Sequence, residues 1–384
     1  MEDKKALVFH SSSDLYGASN SLVRSLRALQ ERAISPTLVL SEPGPLSEVV
    51  EGMGIPVQFV RLGVLRRKYV SLPGILNRLY YTWKAVRQIR RLIRAEPFDI
   101  AITNTVVVFS GAIAARIVGL KHIWHVRETV AAPAFLKQFI IWMLNRTGDA
   151  VFFVSHASKR NYLPGLKSTK LSVIYNGIDP SRFMAASYSL KGELGIPEER
   201  ILLLMVGRVS YLKGQHYFLE IARNLLAANH HLHFVLAGDV FPGNEAVLTG
   251  LRAFIQENNL TDHVTDLGFR QDVYHLMAGA DIFVLPSILP DSLPTTVLEA
   301  MAAAKPVVAT AMGGATEMVA PGESGYMIPW DDAAAAAQTL QKLIDDPLLR
   351  ERMGKRGQQI LMEKFSLAGY LTNFGRAVAD LLKE

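Results

Sequence analysis

Two successive trains of short, β-branched segments separated by amphipathic stretches constrain this chain more than any other feature of its sequence. In the first train, Ala6–His10, Thr37–Leu40, Val57–Val60, Asp99–Thr103, His122–Val126, Ala150–Val154 and Leu171–Tyr175 read as strands. Helices fill most of the intervals; Ser19–Arg32, for one, puts Leu22, Leu26 and Leu29 on a single face. After Asn176-Gly177-Ile178-Asp179-Pro180 the pattern lapses for about twenty polar residues and restarts. Ile201–Val206, His233–Ala237, Val264–Leu267, Ile282–Leu285, Pro306–Ala309 and Tyr326–Ile328 form the second train. Helices are expected there at Gln215–Asn229, Asn244–Asn258, Gln271–Ala278, Leu298–Ala304 and Ala333–Asp345, the last capped by Asp331 or Asp332. Apolar strands alternating with helices predict parallel sheets covered on both faces.

The expectation is therefore α/β, with two doubly wound domains over residues 1–180 and 181–365. Residues 366–384 form a C-terminal helix; pattern alone does not place it, and a return onto the first domain is expected. Two such sheets leave a cleft where the carboxyl ends of both sets of strands face a ligand. A length of 384 residues suits two domains better than one.

Several function classes drop out on composition. The chain has no cysteine, which removes disulfides, thiolate metal sites and cysteine nucleophiles and fits a reducing, cytoplasmic setting. Its first residues, MEDKKALVFHSSSD, lack the long apolar core of a secretory signal. Ile100–Leu120 contains Thr103, Asn104, Thr105, Ser110, Gly111 and Arg116, so it reads as strand, turn and helix rather than a membrane span. The net charge of +6 is unevenly spread: residues 1–180 carry 24 Lys and Arg against 12 Asp and Glu, residues 181–384 carry 17 against 23. Two domains that meet different partners are implied.

The second half carries the chemical signal. Val206-Gly207-Arg208 leaves a buried strand, and Lys213-Gly214 precedes the next helix. Two cations beside a helix N-terminus suit a pyrophosphate, although a lone Arg and Lys are more often solvated loop charges. Asp291-Ser292-Leu293-Pro294-Thr295-Thr296-Val297-Leu298-Glu299 then sets one acid at a loop–helix boundary and a second about two turns into the helix. Carboxylates so placed suit sugar and ribose hydroxyls. The bland alternative is a capping Asp291 and a helix-face Glu299, but Glu299 lies among Leu298, Met301 and Ala302, where an idle carboxylate is costly.

Together with Lys305-Pro-Val-Val-Ala-Thr-Ala-Met-Gly-Gly-Ala-Thr-Glu317 and the upstream Val173-Ile-Tyr-Asn-Gly-Ile-Asp179, these motifs resemble the donor half of the family 4 retaining glycosyltransferases of group 1 type. The resemblance runs from about residue 6 to about residue 365. It implies a GT-B fold, with two Rossmann-like domains facing each other across a cleft, the first for the acceptor and the second for a nucleotide-sugar donor. By the same resemblance Arg208 and Lys213 would bind the diphosphate, Glu299 the ribose, and Asp291 the transferred sugar. The backbone around Gly268, Phe269 and Arg270 would hold the base, and Gly207, Ser292, Leu293, Thr295 and Thr296 would line the donor. Asp291 departs from the family, which more often has Glu there, and this puts the sugar's identity in doubt.

In the first half, Tyr16-Gly17-Ala18 follows the first strand without the G-x-G-x-x-G series of a dinucleotide site. The resemblance makes Gly17 a donor contact and aligns His125, in Ile123-Trp124-His125-Val126-Arg127-Glu128, with a histidine that meets the donor sugar. Read alone, a histidine near a strand end is more often structural, and Arg127 and Glu128 fit an internal ion pair. Between Arg61 and Glu96 stand ten basic residues and one acid, interleaved with Leu, Ile, Tyr and Trp. Residues 61–96 and the apolar stretch at 133–146 are candidates for an anionic membrane surface, hence peripheral attachment, or for a phosphate-bearing acceptor. No nucleic-acid motif accompanies the charge.

No Asp-x-Asp occurs, so no metal and no cofactor is expected; the two cations would neutralise the leaving diphosphate. The expected activity is transfer from a nucleotide-diphosphate sugar, a UDP-sugar by the family's habit, to a saccharide or lipid-linked acceptor. A sugar-nucleotide epimerase on the same scaffold would leave the basic segment idle. A non-catalytic sugar-nucleotide-binding or membrane-docking protein would leave the Arg208, Lys213 and Glu299 set unexplained.

Overall fold

The computed structural model describes residues 4–65, 69, 71–129, 133–167, 170–240 and 243–384. The chain divides into two compact units, Met1–Asn176 with Leu367–Glu384, and Gly177–Ser366.

The first unit is a parallel sheet of seven strands: β1 (Lys4–Phe9), β2 (Ile34–Leu40), β3 (Val57–Phe59), β4 (Ile100–Thr103), β5 (Lys121–Val126), β6 (Ala150–Phe153) and β7 (Lys170–Val173). Their order is β3-β2-β1-β4-β5-β6-β7, so the winding reverses beside β1, between it and β4. A strand's side chains alternate between faces, and here both faces are covered. On β5, Trp124 and Val126 share an apolar cluster with Ile140, Ile141 and Leu144 of the Ala134–Thr147 helix. Ile123 instead joins Leu22 and Leu26 of the Gly17–Gln30 helix and Phe374 and Val378 of the Leu367–Lys383 helix. Each such Leu or Phe contributes roughly 1.5–3 kcal/mol on burial. The C-terminal helix also bonds the first helix directly, Tyr370 Oη lying 2.6 Å from Ser25 Oγ.

The second unit repeats the plan with six parallel strands: β8 (Ile201–Val206), β9 (Leu232–Ala237), β10 (Val264–Asp266), β11 (Ile282–Leu285), β12 (Val307–Thr310) and β13 (Gly325–Ile328). The order is β10-β9-β8-β11-β12-β13, with the reversal between β8 and β11. Leu203 and Met205 of β8 pack with Phe218 and Leu340, while Leu202 and Leu204 are buried on the opposite face. Asp332 caps the Ala333–Asp345 helix by accepting from Ala335 N–H at 2.9 Å. The two doubly wound sheets are those the sequence pattern implies.

Ile100–Leu120 resolves into β4 and the Ser110–Val118 helix. Among the described residues no helix is long and apolar enough to cross a membrane.

Candidate functional site

Loops at the carboxyl ends of β8, β11 and β12 gather the polar groups of the second unit. At the end of β8 the backbone turns at Gly207, whose N–H donates to Ala237 O at 2.9 Å. Gln215, buried at the start of the Gln215–Leu226 helix, holds the turn: its Nε2 donates to Gly207 O at 3.3 Å and to Arg208 O at 3.1 Å. Arg208 is thereby set at the strand end, half-buried. Lys213 ends the 3-10 turn Tyr211–Lys213, and its stem passes over Gly207, where an added Cβ would lie 3.9 Å from Lys213 Cδ.

Lys213 Nζ donates to Asp291 Oδ2 at 2.5 Å, and the two side chains are 30% and 28% exposed. The structure therefore joins the cation expected at a diphosphate to the acid expected at a sugar. A half-solvated pair of this kind is worth about 1 kcal/mol or less, so a ligand carrying its own anion can exchange into it. The carrier of Asp291 is a tight turn after β12. Gly314 N–H donates to Asp291 O at 2.8 Å. Gly313 sits at φ +59°, and a Cβ there would fall 2.3 Å from Asp291 O. Only glycine serves both demands.

The following helix begins three residues earlier than the sequence suggests, at Thr295, and runs to Ala302. Glu299 lies little more than one turn in, not two, and is half-buried between buried Leu298 and Ala300. Pro294 stands at the cap position and no side chain caps this helix, so Asp291 is not a capping residue. Ser292, Thr295 and Thr296 are half-buried and Leu293 is buried beside them. The first N–H groups of such a helix have no partner within it and favour an anion.

After β10, Gly268 O accepts from Gly238 N–H at 2.7 Å, and Phe269 is 53% exposed. The Arg270 side chain is committed to ion pairs with Asp272 (2.6 Å) and Glu193 (2.8 Å), which leaves the backbone as this loop's contribution.

In the first unit the structure corrects the expectation for His125. It is completely buried, and its ring packs 5.1 Å from that of Phe374 on the C-terminal helix. Neither ring nitrogen has a hydrogen-bond partner, and burial, aided by the Arg127 charge, holds the imidazole neutral well below its usual pKa. The reason is strand alternation: His125 shares its face with Ile123, under helices. The groups at the end of β5 are Arg127 and Glu128. Arg127 Nη2 donates to Asn176 Oδ1 at 3.1 Å, and Glu128 accepts from Thr105 Oγ1 at 2.5 Å and Val106 N–H at 3.2 Å. Burial raises the Glu128 carboxyl.

His10, just past β1, was not singled out by sequence, nor were Asn104 and Asn176. His10 is buried between Ser19 Oγ (3.3 Å) and Asn104 Nδ2 (3.2 Å), its pKa lowered by burial to about 4. His10 and Asn104 share a signal, a polar residue directly after a buried strand, whereas Asn176 lies three residues beyond the partly exposed β7. Gly17 opens the Gly17–Gln30 helix and is exposed; the loop before it is tied by Asp14, which accepts from Tyr16 N–H (3.2 Å) and Ser19 Oγ (3.1 Å). Among the described residues no group of three or more His, Asp or Glu could hold a metal ion.

Known proteins match both halves. The model of the group 1 glycosyl transferases covers residues 189–360, and that of glycosyltransferase family 4 covers residues 16–182. A D-inositol 3-phosphate glycosyltransferase of Thermobifida fusca is 34% identical over 203 residues, 50% of this chain and 46% of that protein. An Escherichia coli UDP-Gal:alpha-D-GlcNAc-diphosphoundecaprenol alpha-1,3-galactosyltransferase is 25% identical over 87% of this chain and 86% of its own length. The chain spans about half the length of the first curated relatives it matches. Anabaena HepE, solved in complex with UDP and glucose, superposes with a TM-score of 0.83 at 23% identity, over 99% of this chain and 100% of that one. The chain thus has the GT-B fold and, through matches to each of its two halves, is a glycosyltransferase related to the group 1 and family 4 members.

Proposed function

We propose that the protein transfers a glycosyl group from a UDP-sugar to a saccharide or lipid-linked acceptor, with retention at the anomeric carbon and without a metal ion. The observation that carries this reading is the Arg208, Lys213 and Asp291 constellation at the carboxyl ends of β8 and β11, seated by Gly313 and Gly314. Uridine is favoured by HepE, solved with UDP, and by the galactosyltransferase whose name includes UDP-Gal.

In this mechanism the bond between the anomeric carbon and the diphosphate oxygen breaks, and its electron pair stays on the diphosphate. Arg208, Lys213 and the N–H groups of Thr295 and Thr296 stabilise that charge as it forms, which is the preorganised electrostatics that enzymes rely on most. Asp291, released from Lys213 when the diphosphate takes its place, accepts from the sugar's hydroxyls. Glu299 accepts from the ribose. The acceptor oxygen bonds to the anomeric carbon on the face the diphosphate leaves, and its proton passes to a diphosphate oxygen. The test is to supply UDP-sugars and a chelator and follow release of UDP together with the anomeric configuration of the product by NMR. Release abolished by chelator, or an inverted product, would contradict the mechanism.

The acceptor's lipid link and a docking surface for it belong to the same proposal. The Leu72–Ala95 helix exposes Leu72, Leu76, Leu79, Tyr80 and Trp83 alongside Lys84, Arg87, Arg91 and Arg94, with Arg78 and Arg90 half-buried and the Arg87 guanidinium 4.8 Å from the Trp83 ring centre. The Ala134–Thr147 helix exposes Phe135, Phe139 and Trp142. Cations beside exposed aromatic and aliphatic side chains favour an anionic bilayer surface. Arg66, Arg67 and Lys68, also in this segment, lie outside the described residues. Flotation with anionic vesicles should be lost in the Trp83→Ala/Trp142→Ala double variant; a wild type that does not float removes the membrane part.

A further inference from the structure

The loop after β10 is the stretch assigned above to the nucleobase, and the inference here rests on that reading. The loop is braced at both ends. In front, Gly268 N–H donates to Asp266 Oδ1 at 3.1 Å and Gly268 O accepts from Gly238 N–H. Behind, the Arg270 guanidinium forms a two-sided fork. Its Nε and Nη2 donate to the two oxygens of Asp272 at 2.7 and 2.6 Å, and its Nη1 and Nη2 to those of Glu193 at 2.8 and 3.4 Å.

The partners are arranged around that fork. Asp272 occupies the N-cap position of the Val273–Gly279 helix, where an Asp ordinarily accepts from the first turn, yet it makes no capping bond. Its carboxylate is turned to Arg270 instead, which holds its pKa down to about 2. Glu193 comes from the Leu190–Leu194 helix, 77 residues earlier in the chain, and also accepts from Tyr188 Oη at 2.8 Å. Tyr188 in turn stacks on His275 with ring centres 4.4 Å apart and 12° between planes. One guanidinium thus ties the loop to two separate helices, while Phe269 stays exposed. The planar fork of arginine suits such a junction; a lysine would bond at one point.

We propose that Arg270 is a positioning residue, clamped between Asp272 and Glu193, that fixes the Gly268–Arg270 backbone for hydrogen bonding to the nucleobase, so that Glu193 tunes base affinity without touching the nucleotide.

The test titrates UDP, GDP and inorganic pyrophosphate by calorimetry into the full chain, wild type and Glu193→Gln. The clamp requires UDP affinity to fall about tenfold, as expected for loss of one charge-assisted pair. The preference between UDP and GDP should narrow, and pyrophosphate, which reads only the cations, should bind as in wild type. Glu193→Asp should recover part of the loss. If Glu193→Gln fails to fold, Arg270→Lys should show the same split between UDP and pyrophosphate. Unchanged UDP affinity overturns the clamp, and so does a parallel loss of UDP and pyrophosphate, which would mark general damage. A wild type that binds pyrophosphate but no nucleotide removes the base loop alone. One that binds neither removes the donor site as well.

Discussion

The two units share one architecture but treat the polar groups at the ends of their strands in opposite ways. In the first, His10, Asn104, His125, Arg127 and Asn176 are all buried, four of them 3% exposed or less. In the second, Arg208, Lys213, Asp291 and Glu299 are half-buried. A buried group is fixed by its surroundings and expensive to rearrange. A half-solvated one can trade a protein partner for a ligand at small cost. The contrast fits a second unit whose donor site is built to exchange, as Lys213 and Asp291 would when a diphosphate arrives, and a first unit whose polar framework is set in advance.

The largest effect expected from this contrast is on chemistry in the second unit. Arg208→Ala should fold normally and lose about 10²–10³ in kcat with any donor, the scale for removing one group that stabilises developing charge. Near-wild-type turnover would take Arg208 out of the mechanism.

Acid should act first on the other unit. His10 and His122 are buried neutral, their pKa values lowered by burial from 6.5 to about 4 and about 3, and His125 is lowered well below 6.5. Each titrates near 6.5 once unfolded, so below that pH the unfolded chain binds more protons and stability falls as pH drops from 6.5 towards 4. On the order of 3 kcal/mol is at stake for each of His10 and His122. In the second unit His233, on β9, is lowered by burial to about 4. Hydrogen exchange at pH 4.5 against pH 7 should therefore show greater loss of protection in β1, β4 and β5 than in β8, β11 and β12. Equal loss would erase the distinction between the units.

Gly313→Ala sharpens the point about exchange. An added Cβ meets Asp291 O at 2.3 Å in a left-handed backbone, so the Asp291 loop must shift. A misplacement of this kind should lower kcat/KM by about tenfold or more. The smallest expected change is in stability: Asp291→Asn breaks the Lys213 pair and should alter unfolding free energy by about 1 kcal/mol or less. A larger loss would mean that the pair is structural.

Much of this was legible in the sequence. All thirteen strands are matched by segments read from the sequence, most plainly where, as in β4, β6, β9, β11 and β12, every residue is buried; the edge strands β3 and β7 are partly exposed. The Pro347–Lys364 helix was not, since its PLLRERMGKRGQQILMEK pattern is mostly polar with two glycines inside. Its Gly354 is explained only by packing: a Cβ there would fall 1.9 Å from Ala304 O. In the site, residue types at strand ends pointed to Arg208, Lys213 and Asp291. They could not show that Lys213 and Asp291 pair, or that Glu193 reaches the Arg270 side chain, because those partners lie 78 and 77 residues apart in the chain. His125 misled for a different reason. A histidine one residue from a strand's end still obeys alternation, and here alternation faces it to the C-terminal helix, whose position no local pattern reveals.

The most direct test of the account is a thermal-shift comparison of UDP, UDP-sugars and other nucleoside diphosphates, with and without chelator. The account expects a clear rise in melting temperature with the uridine compounds, unchanged by chelator and lost in Arg208→Ala. No shift with any nucleotide, confirmed by calorimetry, would contradict the donor site itself.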